Sequence, residues 1–315
     1  MKKFNNIYLY VLGVALAVTS ILSCDRLIYD DLEACPRGVY INVLAQTECA
    51  DTPTYPAVKQ LNIFAFDEND VFVGTQQIDN PALSADYELL MPVEKPGNYS
   101  FIVWGGINDQ FTIVPSQSNT IKKQDLLLQL KEQNKKAEDL TGIQVYVGTT
   151  PRVNVGLETD MFVHTKANIR ETTNRIKVSV EDLKNSENYV VELHSGNIAY
   201  SFGGTIINKS AVEYPTQVLY PNSTTLTADF TTLKLEDGRN SILVVKEKET
   251  GVEIFRENLI GVILLSPSEA NINLRCLNDF EVKLKMRHCN CPGSFEAAEL
   301  WINDWMVHSY DTVLG

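Results

Sequence analysis

The sequence is short of positive charge. Its 315 residues carry 27 Lys and Arg against 40 Asp and Glu, a formal net charge of −13. No basic excess is available to neutralise a phosphate backbone, so nucleic-acid binding is set aside. Histidine is also scarce: His164, His194, His288 and His308 are the only four, and they are scattered. The chain has no HExxH, GxSxG, P-loop, GxGxxG or EF-hand loop, the local patterns that carry metal, nucleophile, nucleotide and calcium chemistry. No catalytic residue, metal ligand or bound cofactor is assigned, and the protein is not read as an enzyme. Past residue 23 no apolar run reaches the ~18 residues a membrane-spanning helix needs, and helical periodicity is rare. Disorder is excluded as well, because 44% of the residues are hydrophobic and 9% aromatic.

What is present begins at the N-terminus. Lys2 and Lys3 precede Ile7 to Ile21, an uncharged apolar stretch of 15 residues, too short to span a bilayer and of the length of a secretory signal core. Ile21-Leu22-Ser23-Cys24 follows and resembles the lipobox of a lipoprotein precursor. The sequence therefore predicts a signal peptide over 1–23 and a mature chain that starts at Cys24. Its sulfur would carry a diacylglycerol and its freed amine a further acyl chain, since one chain alone binds a membrane marginally. The alternative is an ordinary cleaved signal with an incidental cysteine. Loss of Lys2 and Lys3 leaves 25 basic against 40 acidic residues, a mature net charge of −15.

Five cysteines remain: Cys35, Cys49, Cys276, Cys289 and Cys291. Cys35 and Cys49 flank one predicted strand, and a bridge between them would contribute roughly 3 kcal/mol on the chain-entropy picture; the two could equally stay unpaired. Cys276, His288, Cys289 and Cys291 include zinc-type ligands but lack paired CxxC spacing. A disulfide from Cys276 to Cys289 or Cys291, or inert thiols, is the preferred reading.

Period-two alternation dominates the rest, which predicts an all-β protein. Short strand candidates run from Gly38–Ala45 to Leu300–Trp305, in antiparallel order. Asp67-Glu68-Asn69-Asp70 and Lys95-Pro96-Gly97-Asn98 read as turns, the second because proline fixes φ and glycine supplies a positive φ. One crossover helix is expected over Lys122–Lys136, with Leu126, Leu127 and Leu130 facing a core. The polar stretch 149–159 (TTPRVNVGLET) marks a domain boundary. The expected organisation is two tandem sandwiches, over 24–158 and 159–315.

Asp30-Asp31-Leu32-Glu33-Ala34-Cys35-Pro36-Arg37-Gly38-Val39 resembles the DLxxCPxGV opening of the FimB and Mfa-like fimbrial anchor lipoproteins. Leu61 to Asp67 leading into Val71-Phe72-Val73, the strand Tyr99 to Gly105 that ends Trp-Gly, Asn174 to Val180, and Trp301 to Trp305 are similar to later family motifs and occur in the same order. The resemblance implies two transthyretin-like sandwiches and no reaction. It implies a structural subunit, lipid-anchored and surface-exposed on the outer membrane, that holds a fimbrium, nucleates it or limits its length through contacts with shaft subunits. Shaft subunits of this kind polymerise when a protease removes an N-terminal strand and a neighbour's C-terminal strand fills the groove, a form of strand addition. By that analogy the segment Glu299 to Leu314, with Trp301, Ile302 and Trp305, is either the last strand of the second sandwich or a donor strand. Arg37 stands where an arginine-specific protease would cut, and a Cys35–Cys49 bridge would keep the lipid attached after such a cut. The competing function is a surface lipoprotein that binds a carbohydrate or host ligand, which exposed aromatics gathered on one sheet face would favour.

Overall fold

The computed structural model describes residues 36–114, 121–157, 161–266, 274–292 and 294–309. Cys24 and Cys35 therefore lie outside the described residues. The chain is all-β, with 22 strands and one six-residue α-helix among the described residues. Its first five strands are β1 (Arg37–Leu44), β2 (Gln60–Phe66), β3 (Phe72–Asp79), β4 (Glu88–Val93) and β5 (Gly97–Gly105). Both predicted turns are present. The Asp67 carboxylate accepts from the Asn69 and Val71 amides at 2.8 and 2.9 Å, and Asp70 takes φ 59°. Gly97 takes φ 155°, and the Tyr99 hydroxyl donates to the Lys95 carbonyl at 2.7 Å across that turn.

An excursion follows: β6 (Phe111–Val114), a 3-10 turn (Lys123–Asp125), β7 (Leu127–Leu130), β8 (Glu132–Gln133) and β9 (Lys136–Ala137). The expected helix over Lys122–Lys136 is not formed. Leu126, Leu128 and Leu130 are the buried set, while Leu127 and Gln129 are half-buried. That is a strand period, not a face built from Leu126, Leu127 and Leu130. Asn134 and Lys135 both adopt positive φ and turn β8 back into β9, the backbone of a two-residue hairpin.

The chain then returns through β10 (Tyr146–Thr149), β11 (Val153–Val155) and β12 (Phe162–Glu171). The first sheet runs β3-β2-β5-β10-β12-β1-β4, with β11 added on β5. β12 completes this sheet, so the boundary expected at 158/159 is corrected to Thr172, the single residue before the next strand. The stretch 149–159 reads as a linker because an edge addition such as β11 needs little apolar content on its open side. A second correction concerns strand direction: β1 pairs with β12 in parallel, against the all-antiparallel expectation. The sheet also curls. A Cβ on Gly74 of β3 would lie 3.6 Å from Met91 Cε of β4, so the two ends of the sheet meet across one core. Val39, Ile41, Leu61, Ile63, Phe101, Val103 and Ile169 fill it.

The remaining strands are β13 (Thr173–Glu181), β14 (Tyr189–Ser201), β15 (Ile206–Tyr214), β16 (Thr216–Asn222), β17 (Thr225–Leu233), β18 (Ser241–Glu247), β19 (Glu253–Asn258), β20 (Asp279–His288), β21 (Phe295–Ile302) and β22 (Trp305–Ser309). Helix α1 (Leu259–Leu264) follows β19. They form a sheet ordered β16-β17-β13-β20-β21-β22, with β13 and β20 parallel, and a facing sheet ordered β19-β18-β14-β15-β9-β8. The excursion belongs to this facing sheet, because β7 pairs with β14 and β6 with β7. The second unit thus contains β6 to β9, which the tandem division places in the first.

The two units share a core. Phe64, Phe66, Ile102 and Trp104 point away from the first core into that of the second unit. Phe64 meets Phe202 edge-on at 4.6 Å between ring centroids, and Trp104 Nε1 donates to the Phe202 carbonyl at 3.1 Å. Strands buried on both faces need near-continuous apolar sequence, which explains Ile63-Phe64-Ala65-Phe66 and Phe101-Ile102-Val103-Trp104.

Candidate functional site

The residues singled out by sequence fall at three places: the start of β1, the β21–β22 hairpin and the junction between the units. At the first, β1 lies between β12 and β4 and is paired along most of its length on both sides. Arg37 opens it, pairs with Val93 and is only 2% exposed. A protease would have to unfold β1 to reach this peptide bond, which removes the expected cleavage at Arg37 in the folded chain.

At the second place, the run Leu300–Trp305 is not one strand. Asn303 and Asp304 adopt φ 46° and 67°, a turn that these residue types tolerate better than most. β21 ends at Ile302, and β22 begins at Trp305 directly opposite it. The Asn303 amide donates to the Glu281 carbonyl at 2.9 Å, and its side-chain oxygen accepts from the Glu281 amide at 2.7 Å. The hairpin tip is thereby pinned to β20. Ile302 is buried. Trp301 lies on the outer face, its indole N–H donating to Glu299 at 2.8 Å with the Lys283 and Lys285 ammonium groups 5.9 and 5.6 Å from its ring. Trp305 is 43% exposed and Met306 similarly open. β22 is the outermost strand of the described sheet. The exposed aromatic rings Phe162, Tyr220 and Trp305 do not share a face: the first is on the first sheet, and β16 and β22 sit at opposite edges of the second unit's sheet, about 24 Å apart at ~4.8 Å per strand step.

At the junction, Cys49 is bonded to Cys276. This overturns the pairing with Cys35 and joins the loop after β1 to the segment before β20. Cys289 and Cys291 are bonded to each other, which corrects the expected bridge from Cys276 to either of them. Spacing could not reveal the partner of Cys49, because it lies 227 residues away in sequence. An exposed ion pair between Arg275 and Glu48 at 2.9 Å lies beside the first bridge.

Polar groups continue the junction. The Arg175 guanidinium forks onto both oxygens of Asp279 at 2.6 and 2.9 Å and also pairs with Glu171. The Asp279 bond, above all, holds Arg175 charged, and in return Arg175 keeps the Asp279 carboxyl below its usual range. Asn278 donates to Glu171 at 2.9 Å, and Lys234 donates to the Leu277 carbonyl at 2.6 Å and to the Asn278 side chain. Burial pushes the Lys234 ammonium down to about 8. The Tyr200 hydroxyl donates to the Thr172 carbonyl at 2.8 Å, and burial raises its titration far above the usual value. Sequence offered no signal for this network, since its members come from the β12–β13 passage, β14, the end of β17 and the start of β20, and meet only in the folded chain. A cleft of about 930 Å³ opens beside it, lined by Arg170, Glu171, Tyr200, Lys234 and Arg275 among others. Every charge named in the network is paired or hydrogen-bonded, so the arrangement is structural: it fixes two units and leaves no free nucleophile or base.

A family model described as fimbrillin-A associated anchor proteins Mfa1 and Mfa2 matches residues 32–311. The chain is 43% identical over 297 residues to the minor fimbrium anchoring subunit Mfa2 of Porphyromonas gingivalis, covering 93% of this chain and 92% of that protein. The solved structure of the fimbrial anchor protein Mfa2 from the same organism superposes with a TM-score of 0.81 at 42% identity, over 88% of this chain and 100% of the other. A structure of a putative polysaccharide binding protein from Bacteroides thetaiotaomicron has a TM-score of 0.70 over 88% of this chain and 99% of that one. At 18% identity it shares the fold alone.

Proposed function

The chain belongs to the family of fimbrillin-A associated anchor proteins, and on that premise we propose that it is the lipid-anchored subunit that attaches a fimbrium to the outer membrane. A fimbrium-associated structural role, without catalysis, is what family membership itself carries. The finer reading adds acyl chains on Cys24, placement at the cell surface, contacts with shaft subunits by strand addition, and a part in starting the shaft or limiting its length.

The observation that supports it is the construction of β1. A subunit that must lose its first strand to be joined needs that strand to be removable. Here β1 supplies Val39, Ile41 and Val43 to the first core and is paired on both sides, with Arg37 buried at its head. A cut at Arg37 would therefore require β1 to unfold, which favours a body that stays joined to Cys24, thirteen residues before Arg37. Strand addition would use β22, the outermost described strand of its sheet. Main-chain groups there supply affinity, and Trp305 and Met306 supply selectivity.

Cys24→Ala in the native cell tests the anchor. Fimbriae should be shed into the medium together with this protein; fimbriae that stay on the cells while only this protein is released would defeat the reading. Deleting Ser309 to Gly315 tests the C-terminal contact, which is discarded if attachment is unchanged.

A further inference from the structure

The outer face of the first sheet changes character along β1. Strand register places Pro92, Gly38 and Phe162 side by side in the first cross-strand row. Leu90, Tyr40 and His164 form the next row, and Glu88, Asn42 and Lys166 the third. The first two rows are apolar and open except at their edge: Phe162 is 41% and Leu90 37% exposed, and His164 at the edge pairs with Glu88 at 3.0 Å. They are also continuous. The Tyr40 ring lies 6.0 Å from that of Phe162 and stacks on His164 at 5.0 Å, and Leu90 Cδ1 sits 2.7 Å from where a Gly38 Cβ would be.

The third row is polar, and the protein covers only its centre: Asn42 is buried, while Glu88 and Lys166 stay exposed. The Asn42 amide donates to the carbonyls of Ser84, Ala85 and Tyr87 at 3.1, 3.1 and 2.9 Å, which draws the β3–β4 connection over Asn42 and leaves the apolar rows bare. The bare end is also where the chain arrives from Cys24. Thirteen residues reach no more than about 45 Å even when fully extended, so an acylated Cys24 keeps this face near the bilayer.

We propose that the Leu90–Tyr40–Phe162 face is a membrane-contact surface that rests on the headgroup region and sets the tilt of the tethered protein. This rests on the lipid reading of Cys24 given above. Aromatic and aliphatic side chains suit that zone because it is apolar on one side and wet on the other. Three side chains are too little area to hold a protein alone; the tether supplies the high local concentration that makes a weak contact persistent. The face therefore orients, and the lipid holds.

The test uses the full-length lipidated chain in vesicles of phosphatidylethanolamine and phosphatidylglycerol, with and without brominated acyl chains. Phe162→Trp and Leu90→Trp each add one reporter at the face, and Leu219→Trp, on exposed β16 of the second unit, is the control. The added emission at 162 and 90 should fall by about half or more in brominated vesicles, as for a ring seated ~5–10 Å into the interface, while that at 219 does not change. Flotation reads the lipid and quenching reads the face. A chain that floats with Trp fluorescence at 162 and 90 unquenched overturns the face contact and leaves lipidation standing. Equal quenching at 219 also overturns it, and a chain that does not float overturns both readings. The unlipidated Cys24→Ala chain should not float, and its flotation would overturn the claim that the lipid does the holding.

Discussion

Replacing Cys49 and Cys276 together by serine should cost far more stability than replacing Cys289 and Cys291. The first bridge has a sequence separation of 227 and the second of 2. On the chain-entropy picture, closing the long loop restricts the unfolded chain by about 5 kcal/mol, whereas the short one contributes under about 2 kcal/mol. The neighbouring Arg275–Glu48 pair is exposed and changes the comparison little. Because Phe64, Phe66, Ile102 and Trp104 belong to the second unit's core, the two units should unfold in one transition. Guanidinium unfolding followed by tryptophan fluorescence would read both variants. The midpoint should fall several times further for Cys49→Ser with Cys276→Ser than for Cys289→Ser with Cys291→Ser. A loss under about 1 kcal/mol for the long bridge, or equal losses for the two, would refute the idea that this bridge ties the units together through the unfolded state.

Other consequences are equally checkable. Lys234 titrates near 8 in the folded chain against 10.5 for its ordinary value; the unfolded state then holds more protons between those values, so stability should rise as pH increases from about 8. Lys234→Met should flatten that rise in thermal melts between pH 7.5 and 9.5, and an unchanged slope would assign it to another group. Trp104→Ala removes a buried ring and the hydrogen bond to Phe202; it should cost about 3–5 kcal/mol and increase amide exchange in β5 and in the Phe202 turn together. Exchange that rises only in β5 would contradict the shared core. Gly148→Ala would place a Cβ 2.3 Å from the Asn168 carbonyl oxygen, so it should part β10 from β12 and lower the melting temperature by several degrees. A neutral result would mean that the two strands do not approach so closely.

Much of the fold was legible because a strand states its own period. Val39, Ile41 and Val43 alternate with Gly38, Tyr40 and Asn42, and the Asp67–Asp70 and Lys95–Asn98 turns carry their own chemistry. The Lys122–Lys136 misreading shows where this fails. Leu126 to Leu130 contains leucines at both helical and strand spacing, and the choice was made by pairing with β14, a segment some seventy residues later. The Leu300–Trp305 run failed differently: Asn303-Asp304 sits within an aromatic stretch, and only the positive φ at both residues shows that the strand reverses there.

By itself the sequence determined the all-β class, the lack of the catalytic motifs named above, and which residues of most strands turn inward. These depend on composition and on neighbours one to four residues apart. The tertiary structure alone decided that β1 lies beside β12, that β13 lies beside β20, that β6 to β9 serve the second unit, and that Cys49 meets Cys276. Each of these pairs segments distant in the chain. The alternation that marks a strand is the same whichever strand lies beside it, so only the packed whole could select among them.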